Sequence, residues 1–373
     1  MRVHALVAAT VLLAAAPVRA QSAPGGAFVI TLGRDTVAVE RYTVDGRTLR
    51  GTSVVRTPRT SVRRYEITLA EDGSAERFHL LAGPPGAAPR NELTVTYPAD
   101  SVVMEQRRDT TTRRIATALA GHLLPVFEDL AGVWEVALRG AAPPTLRFAN
   151  GRNTTDFAVQ RTGGALTLHE PEWGTIVARM NGERLAEMDM TGSTSKYVVR
   201  RVADLDVEAR AAAWARADQA GRAMGVLSPR DTARASVAGA TVLVDYGRPA
   251  ARGRKVFGGV VPFGEVWRTG ANEATQLVTD RTLQIGEATV PPGTYSLFTI
   301  PTASGWTLIV NKQHGQWGTE YDAAQDLARI PVTVKPLARP VERFTITIAP
   351  SKTGGVLELA WADTQASVPF TVR

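Results

Sequence analysis

Phe28-Val29-Ile30-Thr31-Leu32, Gly33-Arg34-Asp35 and Thr36-Val37-Ala38-Val39-Glu40-Arg41-Tyr42 follow one another near the start of the chain. The outer two segments are rich in β-branched and aromatic residues, and a short glycine-centred triplet joins them. The stretch therefore predicts an antiparallel hairpin. The same grammar then repeats. Asp45-Gly46 and Asp72-Gly73 are turn dipeptides, and Glu66-Ile67-Thr68-Leu69 alternates polar and apolar as a half-buried strand does. Leu49 to Val55, Ser61 to Leu69, Ala75 to Leu81, Leu93 to Tyr97 and Ser101 to Gln106 read as strands, with a Pro/Gly loop from Gly83 to Pro89. Ala118 to Ala131 is apolar, is broken at Pro125, and is expected to form a helical turn or plug. Trp134 to Leu138, Thr145 to Phe148, Asp156 to Gln160, Leu166 to His169, Gly174 to Arg179, Leu185 to Met190 and Lys196 to Arg201 resume the strands. So long an antiparallel run predicts a curved sheet or open barrel.

Asp206 to Met224 breaks the pattern. It is alanine-rich and free of turn residues until Gly221. Asp206 suits an N-cap, Glu208 the first turn and Arg222 the last, as the helix dipole favours. Val207, Ala211, Trp214, Ala215 and Met224 share a face, and Gly225 suits the stop. A connecting helix is expected here. From Ser228 onward strands return, separated by turn signals at Ala238-Gly239, Pro292-Gly293, Ser304-Gly305 and Gly354-Gly355. Around nine strands in about 145 residues fit an antiparallel β-sandwich. The expected architecture is all-β: an N-terminal curved sheet or open barrel over 21–205, a helix over 206–225 and a sandwich over 226–373.

Residues 1–20 have the layout of a secretory signal. Arg2 and His4 form a positive start, Val3 to Ala16 is apolar but short of the roughly 20 residues that span a bilayer, and Pro17 ends the run. Val18-Arg19-Ala20 places small side chains where a signal peptidase reads, so cleavage is expected after Ala20 and the product in the periplasm or secreted. The chain has no cysteine, so it must hold itself together by core burial alone. Its net charge of +7 falls by two when Arg2 and Arg19 leave. Arg63-Arg64, Arg107-Arg108 and Arg113-Arg114 are interspersed with acidic neighbours and read as solvated strand faces. No nucleic-acid partner, cofactor or later membrane span is expected. His79, His122, His169 and His314 are too scattered for a metal site. No nucleophile elbow, P-loop or dinucleotide fingerprint is present.

One connection in the second half stands apart. It runs from Asp245-Tyr246-Gly247-Arg248-Pro249 through Gly253-Arg254-Lys255-Val256-Phe257-Gly258-Gly259 to Val266-Trp267-Arg268-Thr269-Gly270-Ala271-Asn272-Glu273-Ala274-Thr275. It is long, rich in glycine and yet rich in Trp, Phe and Arg, which marks an ordered, packed loop. With Pro292-Gly293-Thr294-Tyr295-Ser296-Leu297-Phe298-Thr299-Ile300-Pro301, Trp306 to Asn311-Lys312 and Gln316-Trp317-Gly318, these segments resemble the domain-of-unknown-function family number 2911, found in exported bacterial proteins. The resemblance covers roughly the last 145 residues and departs near Tyr321-Asp322, where relatives often show a second aromatic. It implies no reaction.

Two readings of the loop remain open. Tyr246, Arg248, Arg254, Trp267, Arg268, Asn272, Glu273, Lys312 and Trp317 are candidates for a polar pocket with aromatic walls, which suits a sugar, a carboxylate or another small molecule. Alternatively Arg268 and Arg254 pair with Asp245 and Glu273 and hold the loop on the sandwich, because buried charges must be paired. In the functional reading the protein is an exported, non-catalytic binding or interaction module for a small molecule, glycan or envelope protein. The rival is a hydrolase of envelope or nutrient polymers with Glu273 as acid or base, Asn272 orienting the substrate and Glu265 as a possible second carboxylate. Trp306 and Trp361 read as core.

Overall fold

The computed structural model describes residues 25–125, 127–140, 143–151 and 154–373. The expected signal, 1–20, lies outside the described residues. The N-terminal unit opens with β1 (Gly25–Leu32), β2 (Asp35–Asp45), β3 (Thr48–Val55) and β4 (Ser61–Leu69). It continues through β5 (Ala75–Gly83), β6 (Asn91–Thr96), β7 (Ser101–Arg108) and β8 (Thr111–Ala118). The chain crosses over by β9 (Leu123–Leu124) and helix α1 (Ala131–Leu138). It returns through β10 (Thr145–Ala149), β11 (Thr154–Thr162), β12 (Ala165–Glu170), β13 (Gly174–Asn181), β14 (Arg184–Asp189) and β15 (Val198–Val202).

These form one 15-stranded sheet, in which β1 to β8 and β15 to β9 run outward in opposite directions from a shared β1–β15 seam. At that seam Phe28 lies opposite Arg201. Only the two-residue contact of β9 with β10 is parallel. The end strands β8 and β9 do not pair, so among the described residues the sheet is curved but open, and no barrel closes. Its two arms curl toward each other. Tyr97 Oη donates to Ala149 O at 2.9 Å and Thr117 Oγ1 to Gly151 O at 2.9 Å, each from one arm to the other.

Helix α1 fills the hollow of this sheet. Trp134 packs on Phe148 and Phe157 at ring-centroid distances of 4.8 and 5.7 Å. The sequence reading expected a plug, but over Ala118 to Ala131, with Trp134 to Leu138 as a strand. The structure moves the plug C-terminally. A helix buried on all sides has no polar face, so its periodicity cannot separate it from a buried strand.

The polar groups around α1 are satisfied from the sheet. Glu135 accepts from Tyr42 Oη, from Arg201, from Arg139 at 2.8 Å and from the Leu185 N–H at 2.8 Å. Glu40 accepts from Tyr65 Oη, and the Gly132 N–H approaches its two oxygens at 3.3 and 3.2 Å. Burial pushes the Glu40 carboxyl up to about 8, against the opposing pull of its hydrogen bonds. Burial and the Glu135 carboxylate push Tyr42 up to about 12.

Helix α2 (Val207–Gln219) starts as its sequence predicts, with the Asp206 side chain accepting from the Ala209 N–H at 2.8 Å. It ends earlier than Met224, and Gly221 then takes a left-handed φ of 74°. Its buried residues Val207, Ala211 and Trp214 pack against Ala27, Val39 and Val54 on the outer face of the sheet. The connecting helix is thus docked on the N-terminal unit.

The C-terminal unit comprises β16 (Arg230–Val237), β17 (Ala240–Gly247), β18 (Thr275–Thr279), β19 (Leu283–Ile285) and β20 (Ala288–Val290). It adds β21 (Gly293–Pro301), β22 (Trp306–Asn311), β23 (Asp326–Pro350) and β24 (Gly354–Val372). The order of the nine antiparallel strands is β16-β17-β18-β21-β22-β23-β24-β19-β20. The sequence alone reads Ile330 to Val334 and Phe344 to Ile348, and after Gly354-Gly355 Val356 to Trp361 and Ser367 to Val372, as four strands; the structure has one long bent strand on each side of that turn. Register shifts between Pro336 and Val341 and between Val341 and Thr345, and a φ of 50° at Ala362, mark the bends. The sheet thereby folds over itself, and Tyr246 of β17 reaches the Ile346 N–H of β23 at 3.0 Å. Among the described residues no helix is long and apolar enough to cross a membrane.

The two units meet at the first hairpin. Arg252, 6% exposed, pairs with Asp35, and the Arg34 N–H donates to Arg252 O at 3.0 Å. Gly33 makes this approach possible. Its φ is 60°, and a Cβ there would sit 2.3 Å from Arg252 O, so a side chain would both strain the turn and break the contact.

Candidate functional site

The nine candidate residues separate into two groups. Tyr246 is 1% exposed and lies in the core, its ring edge-on to Phe344 at 5.7 Å. It is no pocket wall. Trp267 points into a cluster with Phe257, Trp306, Phe344 and Trp361, stacked on Trp361 at 5.8 Å, and its Nε1 donates to Gly270 O at 3.2 Å. Trp306 and Trp361 are core, as their strand positions suggest. Arg248 donates to Phe344 O, Asp231 and Thr345 Oγ1 at 3.1, 2.8 and 2.9 Å. It ties β17 to the opposite layer. Lys312 is exposed, and its backbone N–H bonds Gln325 O. No bond among the described residues joins its side chain to the other candidates.

The second group converges. The Gly318 N–H donates to Asn272 O at 2.9 Å and the Ala274 N–H to Gln316 O at 3.1 Å, and Glu273 bridges Trp317. The loops 268–274 and 316–318 are thereby zipped together. Arg268 donates from Nη1 to Asn272 O at 3.2 Å and lies across Gly318, where a Cβ would come within 2.3 Å of its Cδ. Asn272 holds a left-handed φ of 66°, and its side chain reaches Ser228 O at 3.5 Å. Trp317 is 45% exposed at the edge of this corner.

The expected charge pairing is different from the observed one. Asp245 and Glu273 are both held by Arg230, at 2.8 and 3.3 Å, and not by Arg268. The hairpin of β16 and β17 explains this. Thr232 lies opposite Asp245, so Arg230 is its diagonal neighbour across the ladder, within reach of a long side chain. The turn at Ala238-Gly239 already carried that signal in the sequence. Arg254 spends its donors on Ala251 O and Ala250 O at 3.0 and 2.8 Å, not on Asp245 or Glu273.

Arg268 is left without a carboxylate partner among the described residues. It is partly buried, and that loss of water lowers its pKa. Burial and the neighbouring Arg252 likewise lower that of Arg254. A third cation comes from the other unit. Lys196 sits between β14 and β15, and burial, then the charges of Arg268 and Arg254, lower its pKa while Glu265 opposes them. The one hydrogen bond of the Lys196 side chain is to Thr191 O at 3.0 Å, within its own unit.

A separate groove of about 490 Å³ lies on the outer face of β2 to β5 beside the start of α2. It is lined by Arg41, Arg50 and Arg64 and by Glu66 and Glu208, and Arg50 is paired with Glu66 at 2.7 Å. Among the described residues no three His, Asp or Glu side chains gather as metal ligands.

No curated protein matches this chain. The family model described as "Protein of unknown function (DUF2911)" matches residues 228–370, which begin just before β16 and end within β24. The C-terminal unit, with the Arg268 corner in it, is therefore a member of that family, and the N-terminal sheet lies outside the match.

Proposed function

We propose that the protein is an exported binding module that takes a small polar molecule or glycan at the corner formed by Arg268, Asn272, Glu273 and Trp317. The observation that carries this reading is Arg268: a partly buried guanidinium with one hydrogen bond, to a backbone carbonyl, beside a half-exposed indole. A structural arginine finds a carboxylate, as Arg230 and Arg252 do here. A receptor arginine keeps donors in reserve, and an exposed aromatic face beside it supplies the apolar contact. The hydrolase reading is less well supported. Glu273 shares Arg230 with Asp245 and is solvent-exposed, whereas a working acid or base needs a free carboxyl in an enclosed site.

The test is binding by the full chain, prepared from the envelope fraction, to an array of neutral and acidic oligosaccharides and metabolites. N-terminal sequencing of that material should start at Gln21, and a cytosolic product starting at Met1 would remove export from the proposal. Capture of a ligand that is lost in both Arg268→Gln and Trp317→Ala, with melting temperatures unchanged, supports the corner as the site. Wild-type capture by both variants, or no capture by the wild type, overturns it.

A further inference from the structure

We infer that the groove on the outer face of β2 to β5 binds a small sugar acid or sugar phosphate, an oxyanion on a hydroxyl-bearing body, through Arg41 and Arg64. This site lies in the N-terminal unit and is independent of the corner at Arg268, so either can fail alone.

Strand register builds the groove. Arg41 lies opposite Thr52, and Thr52 lies opposite Arg64. Facing residues on paired strands share one side of a sheet, so the two arginines stand on the same face with a short side chain between them. Two strand spacings put their Cα atoms about 10 Å apart, a gap that a pair of long side chains can close around one ligand. The next row, Thr43, Arg50, Glu66 and His79, is aligned in the same way. Val207 and Glu208 at the start of α2 form one wall, because Val207 packs with Val39 and Val54 on that face, and Leu81 lies opposite Arg64. The volume of about 490 Å³ falls within the roughly 300–1,000 Å³ of small-molecule sites.

The charges in the groove divide into used and unused. Arg50 is held by Glu66 at 2.7 Å. His79 meets Glu92 at 2.9 Å, and Glu92 also takes Arg107 at 2.6 Å. Arg41 and Arg64 are exposed, and among the described residues neither side chain has a hydrogen bond or an ion pair. The carboxylate that opposes them in the lining is Glu208. With the Arg50–Glu66 pair set aside, two cations therefore face one carboxylate. Guanidinium forks match the oxygens of a carboxylate or phosphoryl group. Glu208 repels a molecule that is anionic throughout, yet it accepts hydrogen bonds from hydroxyl groups, as do Thr43 and Thr52. The aromatic residues in the lining, Tyr42 and Tyr65, are buried and turn their hydroxyls inward to Glu135 and Glu40. No ring face is thus offered to a neutral sugar.

The experiment is isothermal titration of the full chain with galacturonate, glucose 6-phosphate and glucose, each at low and at tenfold higher sodium chloride. At least one of the two anions is expected to bind, severalfold more weakly at the higher salt, and glucose is not. Arg41→Gln and Arg64→Gln should each weaken binding at least tenfold, with melting temperatures equal to the wild type. Arg113→Gln, which removes an exposed charge outside the groove, should leave affinity unchanged. Galacturonate alone identifies a sugar acid, glucose 6-phosphate alone a sugar phosphate, and both a site that reads the oxyanion in either setting. Binding of neither anion, equal affinity for glucose, or unchanged affinity in Arg41→Gln or Arg64→Gln overturns the inference. So does an equal loss in Arg113→Gln, which would mark nonspecific attraction to a basic surface. A loss seen in Arg268→Gln and not in Arg41→Gln would place the probe at the corner and overturn it as well.

Discussion

Glu40 sits fully inside the N-terminal sheet, where its hydrogen bonds come from Tyr65 and the backbone at the head of α1. Desolvation raises its pKa from 4.5 to about 8, so it is protonated in the folded protein at neutral pH and ionised in the unfolded chain. A raised carboxyl pKa means that the folded state holds the extra proton. The stabilisation is complete below about pH 4.5, declines as pH rises, and is gone once pH passes about 8. At roughly 1.4 kcal/mol per unit the whole span is on the order of 5 kcal/mol. Glu128, also raised by burial, acts in the same direction. Exposed groups such as Asp156, whose pKa its Arg147 partner lowers, act only at more acid pH. Denaturation midpoints measured from pH 5 to 8.5 should fall in the wild type and fall much less in Glu40→Gln, which keeps the neutral form at every pH. Parallel curves for the two proteins would show that Glu40 carries its charge in the fold.

Helix α2 is the element whose packing is most exposed to a single substitution. Trp214 is its largest buried side chain, it lies over Val39 and Val54, and Arg56 and Arg210 approach its ring at 5.7 and 5.8 Å. Trp214→Ala should cost about 3–5 kcal/mol and make 207–225 the first site of limited proteolysis. Equal stability and an unchanged cleavage pattern would show that the helix is not held by this face. The start of α2 was legible in the sequence because an N-cap is a local event, and Asp206 bonds the Ala209 N–H as its type predicts. The meander of strands was legible for the same reason, since β-branched runs and Gly turns act on neighbours. Helix α1 was not, because Ala131 to Leu138 shows no polar face until the surrounding sheet is known. The bends of β23 and β24 were hidden too, because a strand that changes layers looks in sequence like two strands. At the site, the order of the 245–275 loop was legible from its residue types, but its zipping to 316–318 was not. The removal of Tyr246 and Trp267 into the core depends on contacts far apart in the chain.

At the scale of the whole molecule, two sheets with separate cores are joined through a small polar junction. Asp35 and Arg252 close it, with the Arg34 N–H bonded to Arg252 O beside them. The central claim is that Arg268 is there for a ligand and not for the fold. Calorimetric melting of the ligand-free full chain, wild type against Arg268→Gln, tests this directly. The substitution keeps an N–H donor for Asn272 O and removes the charge. With no carboxylate left behind and a partly buried charge removed, the melting temperature should stay the same or rise slightly. A structural ion pair would instead lose roughly 3–5 kcal/mol, and a drop on the order of 10 °C would show that Arg268 is a strut and contradict the account.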